Sequence, residues 1–477
     1  MSPRRSLARA LPASLALILP LALGASAAPS AQKKPPAPPA AEALRPKLEL
    51  SRFTLDNGLR VVLDRDRSSP TVAVAVWYDV GSRNEKPGEG GFAHLFEHMM
   101  FEGTDVVPRG EYDKVIEGRG GKLNASTSED WTRYWEMMPS SELAATLFLE
   151  ADRMRSLKVT EEAFENQRKV VEEEYRMRVE NTPYVKGYFR LMELVYEGYA
   201  PYAHPAIGSM QELDAAKFEW VKKFHDAYYG PNDAVLVISG DFDVEQAKKL
   251  VHQYFDVAPR VSPPPFPAGG YEGRSKPSGV VVVEDSAART PSTSMGWAIP
   301  KSGDDEHYAL ELAAAILSDG ESSRLHAKLV RELAWAQSVE AGTEDHRGPD
   351  AFVIDVRLGD KGKAEEVEKA VWAEVDALAA RGPSAAEMAK ARAKVEHAFL
   401  FGLQSNLSRA LVLSQFEGER GDATLLATEV DKYLAVTPER VKAAVARWLR
   451  HEKVAQVRVV PKASPPPSAS TTVKEVK

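Results

Sequence analysis

The chain has 477 residues, 44% of them apolar and 27% charged, with no cysteine and a formal net charge of −8 at pH 7. That length exceeds one ordinary core, points to two to four domains, and can bury enough surface to need no covalent staples. Lacking cysteine, the chain cannot use thiolate metal sites, thiol nucleophiles or disulfides, and mild acidity without a basic run argues against nucleic acid as a partner.

Residues 1–27 read as an export signal: Arg4, Arg5 and Arg9, an apolar run over 11–23, then Ala25-Ser26-Ala27 as a small-residue cleavage site. The apolar run is too short for a stable membrane anchor, so a periplasmic or secreted protein is expected. Residues 28–47 form a Pro/Ala-rich tether. A first folded unit is expected over 48–259. It opens with a strand, the turn Asp56-Asn57-Gly58 and a second strand, followed by a valine-rich strand over 71–80. Helices are predicted over 91–102, 140–156, 160–181 and 215–229, and a buried strand over 234–239. Residues 260–278, with Pro263-Pro264-Pro265, read as a linker. The pattern then restarts over 279–461, with strands at 279–285 and 293–299, a helix at 304–318, and a closing helix (439–449) and strand (455–460). Both halves end on a helix and then a strand, which suggests an internal repeat of two α+β units. The tail 462–477 is rich in Pro, Ser and Thr and is expected to be disordered.

The chemistry concentrates in His94-Leu95-Phe96-Glu97-His98, an H-x-x-E-H motif within the 91–102 helix. Residues four apart share a helix face, so both imidazoles can reach one cation, while Glu97 lands at the edge of that face. A catalytic zinc needs three protein ligands and an open position, with a carboxylate nearby to take a proton from water. The third ligand should come from another helix. Glu174 falls on the apolar stripe that Phe164, Val170 and Val171 suggest, and a buried carboxylate there wants a cation. Spacing favours Glu174 but leaves Glu173 open.

H-x-x-E-H followed by Glu174 at the end of Arg168-Lys169-Val170-Val171-Glu172-Glu173-Glu174 resembles the M16 zinc metallopeptidases. The likeness runs on through Gly120-Gly121-Lys122-Leu123-Asn124-Ala125-Ser126-Thr127, Tyr228 to Asn232, Ser323-Arg324-Leu325 and Leu329 to Glu332. It implies an α+β fold of two homologous layered sheet-and-helix domains, which together make half of a clamshell-like peptidase. It implies one Zn2+ per chain held by His94, His98 and Glu174, with Glu97 as general base. It also implies a peptide substrate lying along an edge strand at Gly121, Asn124 and Ala125, and gripped by Arg331. A non-catalytic subunit of such a complex is the alternative reading.

Two departures from the family pattern stand out. A glutamate is common in the family seven residues before the third ligand, and here that position is Gln167. The substrate-gripping arginine is followed in the family, seven residues on, by a tyrosine. Here Gln337 or Ser338 stands in its place. That loss favours a heterodimer with a homologous zinc-less chain over a homodimer.

Overall fold

A computed structural model describes residues 45–265, 271, 273–274 and 276–462. The expected export signal at 1–27, most of the 28–47 tether, part of the 260–278 linker and the tail beyond Lys462 lie outside the described residues.

Strand Leu50–Thr54 (β1) pairs antiparallel with Arg60–Arg65 (β2) across the predicted turn. Gly58 closes that turn at a φ of 94°, where a β-carbon would be strained. Thr71–Tyr78 (β3) is buried from Val72 onward, because both faces of its sheet are covered. Helices Phe92–Met99 (α1) and Glu111–Gly118 (α2) lead to the hairpin of Lys122–Thr127 (β4) and Thr132–Pro139 (β5). Helices Leu143–Ser156 (α3) and Glu161–Tyr175 (α4) follow, and α4 runs on into a π-helical turn, Arg176–Glu180. Then come Val185–Val195 (α5), Met210–Ala215 (α6), Phe218–Tyr228 (α7), strand Ala234–Gly240 (β6) and Val244–Phe255 (α8).

The second half holds Val280–Asp285 (β7), Ser292–Ile299 (β8), Asp305–Ser318 (α9), Ala336–Thr343 (β9) and Asp350–Leu358 (β10). It continues with Ala364–Arg381 (α10), Ala385–Gly402 (α11), Asn406–Arg420 (α12), Glu429–Ala435 (α13), Pro438–Trp448 (α14) and Ala455–Pro461 (β11).

The strands form two sheets, ordered β1-β2-β6-β3-β5-β4 and β7-β11-β8-β10-β9. Leaving out β1, the orders superimpose strand for strand, and the one parallel pair in each, β2 with β6 and β7 with β11, falls at the same place. The α+β repeat expected from element order is therefore present in the topology. In this alignment α9 stands where α1 stands, directly after the central strand.

The two halves exchange one helix each. α12 lies on the first sheet, burying Ala410, Leu413 and Phe416 against Ala73, Ala75, Trp77 and Val237. α5 lies on the second sheet, burying Leu191 and Val195 against Ala298, Val353 and Val457. The other face of the first sheet carries the larger core, in which Val72, Val74 and Val76 meet Phe92, Leu95 and Phe96 of α1.

Candidate functional site

The apolar positions of α1 decide where its polar ones go. Phe92, Leu95, Phe96 and Met99 are fully buried, and this anchors the helix on the sheet and leaves His94, Glu97 and His98 to share the remaining surface. The helix starts on Gly91, at a φ of 94°, with Ile207 O only 2.8 Å from where a β-carbon would sit. Its first amides are satisfied by Glu85, whose carboxylate accepts from Gly91 N (2.9 Å) and Ala93 N (2.8 Å). The helix ends at Met99, short of the predicted 102, and the chain turns away at Gly103 with a φ of 99°.

α4 delivers the third donor. The Thr160 hydroxyl caps its N-terminus by accepting from Ala163 N (3.2 Å). Its buried stripe is Phe164, Gln167, Val171 and Glu174, whereas Val170, assigned to that stripe from sequence, is 47% exposed. Of the two carboxylates that spacing left open, Glu173 faces solvent and Glu174 is turned inward at 8% exposed.

Glu174 Oε2 lies 3.1 Å from His98 Nε2 and 3.7 Å from His94 Nε2. One donor atom from each of the three residues falls within 4.8 Å of the others, and among the described residues this is the one such group of three. Burial pulls the His94 pKa down to about 4, assisted by His98 and only partly opposed by Glu174, so the imidazole is neutral and its lone pair is free. Burial alone would raise Glu174, but the His98 hydrogen bond and the charges of His94, His98 and Arg178 outweigh it and hold the carboxylate below its ordinary range. Arg178 Nε reaches Glu174 Oε1 at 2.8 Å. Two imidazoles and an ionised carboxylate converging at a largely buried point are a donor set that fits a tetrahedral divalent cation with one position left open.

Glu97 stands beside this group without belonging to it. Burial raises its pKa, while a hydrogen bond from Thr127 Oγ1 (2.7 Å) and the charge of His98 pull it back. Thr127 ends β4, so the edge strand and the candidate base are physically joined. No single-residue reading of the sequence had given Thr127, Glu85 or Arg178 a part. Of the three, only Arg178 leaves a local signal, four residues after Glu174.

The other expected site residues fall as follows. β4 is the outer strand of its sheet, and Asn124 and Ala125 lie on it, Asn124 exposed and Ala125 packed against the core. Gly121 precedes it, and a β-carbon there would meet Met138 Sδ at 1.9 Å. Its amide is already used, donating to Ile116 O (2.9 Å). Arg331 is exposed on the π-helical turn His326–Glu332, donates to Glu321 O (3.4 Å), and has no hydrogen bond or ion pair to the His94–His98–Glu174 group. Gln337 is exposed on β9, the outer strand of the second sheet, beside the register shift at Arg357 and Leu358. At the other departure, Gln167 donates to the carboxylate of Glu102, whose second oxygen is 3.1 Å from Arg109 Nε. This pairing ties the residues after α1 to α4.

Two family profiles match the chain: one described as Insulinase (Peptidase family M16), over residues 60–191, and one described as Peptidase M16 inactive domain, over residues 216–395. The chain is 31% identical over 369 residues to a protein named zinc protease PqqE from Helicobacter pylori, covering 77% of this chain and 82% of that one. An uncharacterized zinc protease of Mycobacterium tuberculosis is 29% identical over 419 residues, covering 87% of this chain and 93% of that one. Among solved structures, a protease from Helicobacter pylori matches with a TM-score of 0.81 at 27% identity, covering 87% of this chain and all of the other. The first half of the periplasmic protease PqqL from Escherichia coli shares the fold, with a TM-score of 0.70 at 17% identity, over 88% of this chain and 94% of that one.

Proposed function

The chain belongs to the M16 peptidase family, and from that premise we propose that it is a zinc-dependent endopeptidase that hydrolyses peptides or small unfolded proteins held in a chamber. The observation that carries this reading is the convergence of His94, His98 and Glu174 beside the hydrogen-bonded carboxylate of Glu97. His94, His98 and Glu174 would hold the ion. When bound, zinc supplies Lewis acidity to the attacking water and to the scissile carbonyl. Glu97 accepts the proton of the attacking water on its free oxygen and later passes it to the leaving nitrogen, and the Thr127 hydroxyl keeps the carboxylate aimed. A peptide added to β4 as a further strand would be held by main-chain hydrogen bonds, which tolerate varied sequences. Asn124 and Ala125 would line that strand, and Gly121 would allow the close packing that sets its start.

In this proposal 48–259 is the zinc-binding domain, 260–278 the linker and 279–461 the metal-free domain. The 1–27 segment would export the chain to the periplasm or beyond, and no described helix is long and apolar enough to cross a membrane. Metal analysis should find one zinc per chain, lost in Glu174→Gln. Glu97→Gln should keep the zinc and cleave peptides about 10²–10⁴-fold more slowly. Equal zinc in wild type and Glu174→Gln would remove the third ligand, and near-wild-type turnover in Glu97→Gln would remove the base.

A further inference from the structure

Strand β4 presents two faces to anything that pairs with it. Thr127 bonds Glu97, and Leu123 and Ala125 pack against the α1 core, so these three mark the catalytic face. Ser126, Asn124 and Lys122 alternate onto the other face. Arg133 of β5 lies directly across from Ser126 and also pairs with Trp77 of β3, which packs under α12. Arg133 therefore belongs to the face opposite the metal ligands.

Its side chain is not turned toward a carboxylate. Arg133 Nε donates to Ser126 Oγ at 3.2 Å, so the guanidinium leans over β4 toward the open edge of the sheet. Its carbon sits 4.1 Å from the centre of the Trp131 ring, which acts as a platform. Among the described residues no carboxylate oxygen lies within 4.0 Å of its nitrogens. Burial draws the pKa of this arginine down to about 10, with Glu419 and Glu97 acting against that fall from a distance. Glu419 is itself held well above the ordinary carboxylate range by burial and by Asp345 and Asp130. A partly buried guanidinium on a flat support, with no carboxylate at ion-pair distance, has donors open to an incoming anion.

Resting on the peptidase reading above, we propose that Arg133 determines specificity by binding the carboxylate of an Asp or Glu side chain on a substrate strand paired with β4, at the residue that faces Ser126. Strands in a sheet lie about 4.8 Å apart, so that substrate residue is two spacings from Arg133. Arg133 already spans the first of these, and an acidic side chain on the same face spans the second. A guanidinium meets a carboxylate through two parallel N–H donors, a geometry that lysine cannot reproduce.

The test uses the full mature chain carrying Glu97→Gln, so that binding is read without turnover. Fluorescent peptides, acetylated and amidated so that the only variable carboxylate is a side chain, are scanned position by position with Glu, Gln or Lys. The expected result is one position where Glu binds roughly tenfold tighter than Gln, a preference that weakens with salt. Adding Arg133→Gln should collapse that ratio toward one, and Arg133→Glu should invert it toward Lys. No acidic preference at any position, or a preference that survives Arg133→Gln, overturns the proposal. If the Arg133 variants fail to fold, the peptide scan on the parent chain still decides by the presence or absence of the preference. Cleavage of the same peptides by the wild-type chain is scored separately. Its absence would count against the peptidase reading, while the binding ratios would still judge Arg133.

Discussion

Glu97 is set by opposing influences, of which burial is the larger. Burial raises its pKa toward the range where a carboxylate takes a proton readily, and the Thr127 hydroxyl restrains that rise while fixing its direction. Hydrogen bonds to charged groups contribute about 1.5–3 kcal/mol, but Glu97 is only partly buried and water can replace part of what is lost. Thr127→Val keeps the shape and removes the donor. We expect kcat/KM to fall about tenfold with the zinc content unchanged, read by peptide hydrolysis and metal analysis side by side. Loss of zinc in this variant would mean that Thr127 supports the fold of the site rather than its base. The His pair was legible because a four-residue spacing is a local geometric statement. Glu174 was narrower than spacing alone could resolve, since Glu173 differs from it by a single 100° step around the helix; what distinguishes them in the structure is that Glu174 is buried and Glu173 exposed. Thr127 was out of reach, since its contact with Glu97 spans 30 residues and depends on the register of a strand pair.

At the scale of elements, the valine-rich strands and the helix carrying H-x-x-E-H announced themselves, but the exchange of helices between halves did not. α12 has a buried stripe like that of any helix in its own half, and nothing in a periodicity names the sheet it will cover. What permits the exchange is local. Gly418 of α12 faces the Trp77 ring, and a β-carbon there would come within 2.6 Å of it. Gly187 of α5 is in the same position against Val459 Cγ2, at 2.2 Å. Two effects compete in Gly418→Ala: alanine gains about 1 kcal/mol of helix propensity, whereas overpacking against a fully buried ring costs about 1–3 kcal/mol. The close approach to the backbone-anchored ring places the clash toward the upper end of that range, so the expected result is a net loss of up to about 2 kcal/mol in urea unfolding. The control is Gly402→Ala in α11, where no atom lies within 4 Å of the added carbon and stability should hold or rise. Equal stability of Gly418→Ala and wild type would mean that α12 sits more loosely on the first sheet than its packing implies.

The whole molecule is asymmetric where its topology is symmetric. α1 and α9 occupy equivalent places, yet α9 carries a single histidine, and His307 Nε2 is engaged by Asp350 at 2.8 Å. The edge strands β4 and β9 are equivalent too, and β9 bears Gln337 and Ser338 where the family resemblance calls for a tyrosine. This half-clamshell thus gathers His94, His98 and Glu174 in one unit and, in the other, keeps Arg331 but has no phenol where the family resemblance calls for one. Losing one oxyanion donor costs about 10²–10³-fold in turnover, and a homodimer would carry that loss in both copies. A zinc-less homologous partner with the intact arginine and tyrosine would restore the donor to the site on this chain. The expected outcome is that the purified chain alone cleaves peptides slowly and that adding the co-purified partner raises kcat by about 10²-fold or more. Gln337→Tyr should recover part of that gain in the lone chain, because the phenol would then be supplied in place. Gln337 could donate through its own amide, so a lone wild-type chain that already matches the mixture would defeat the heterodimer. So would a Gln337→Tyr variant with unchanged rate, together with the failure to recover any partner from the native host.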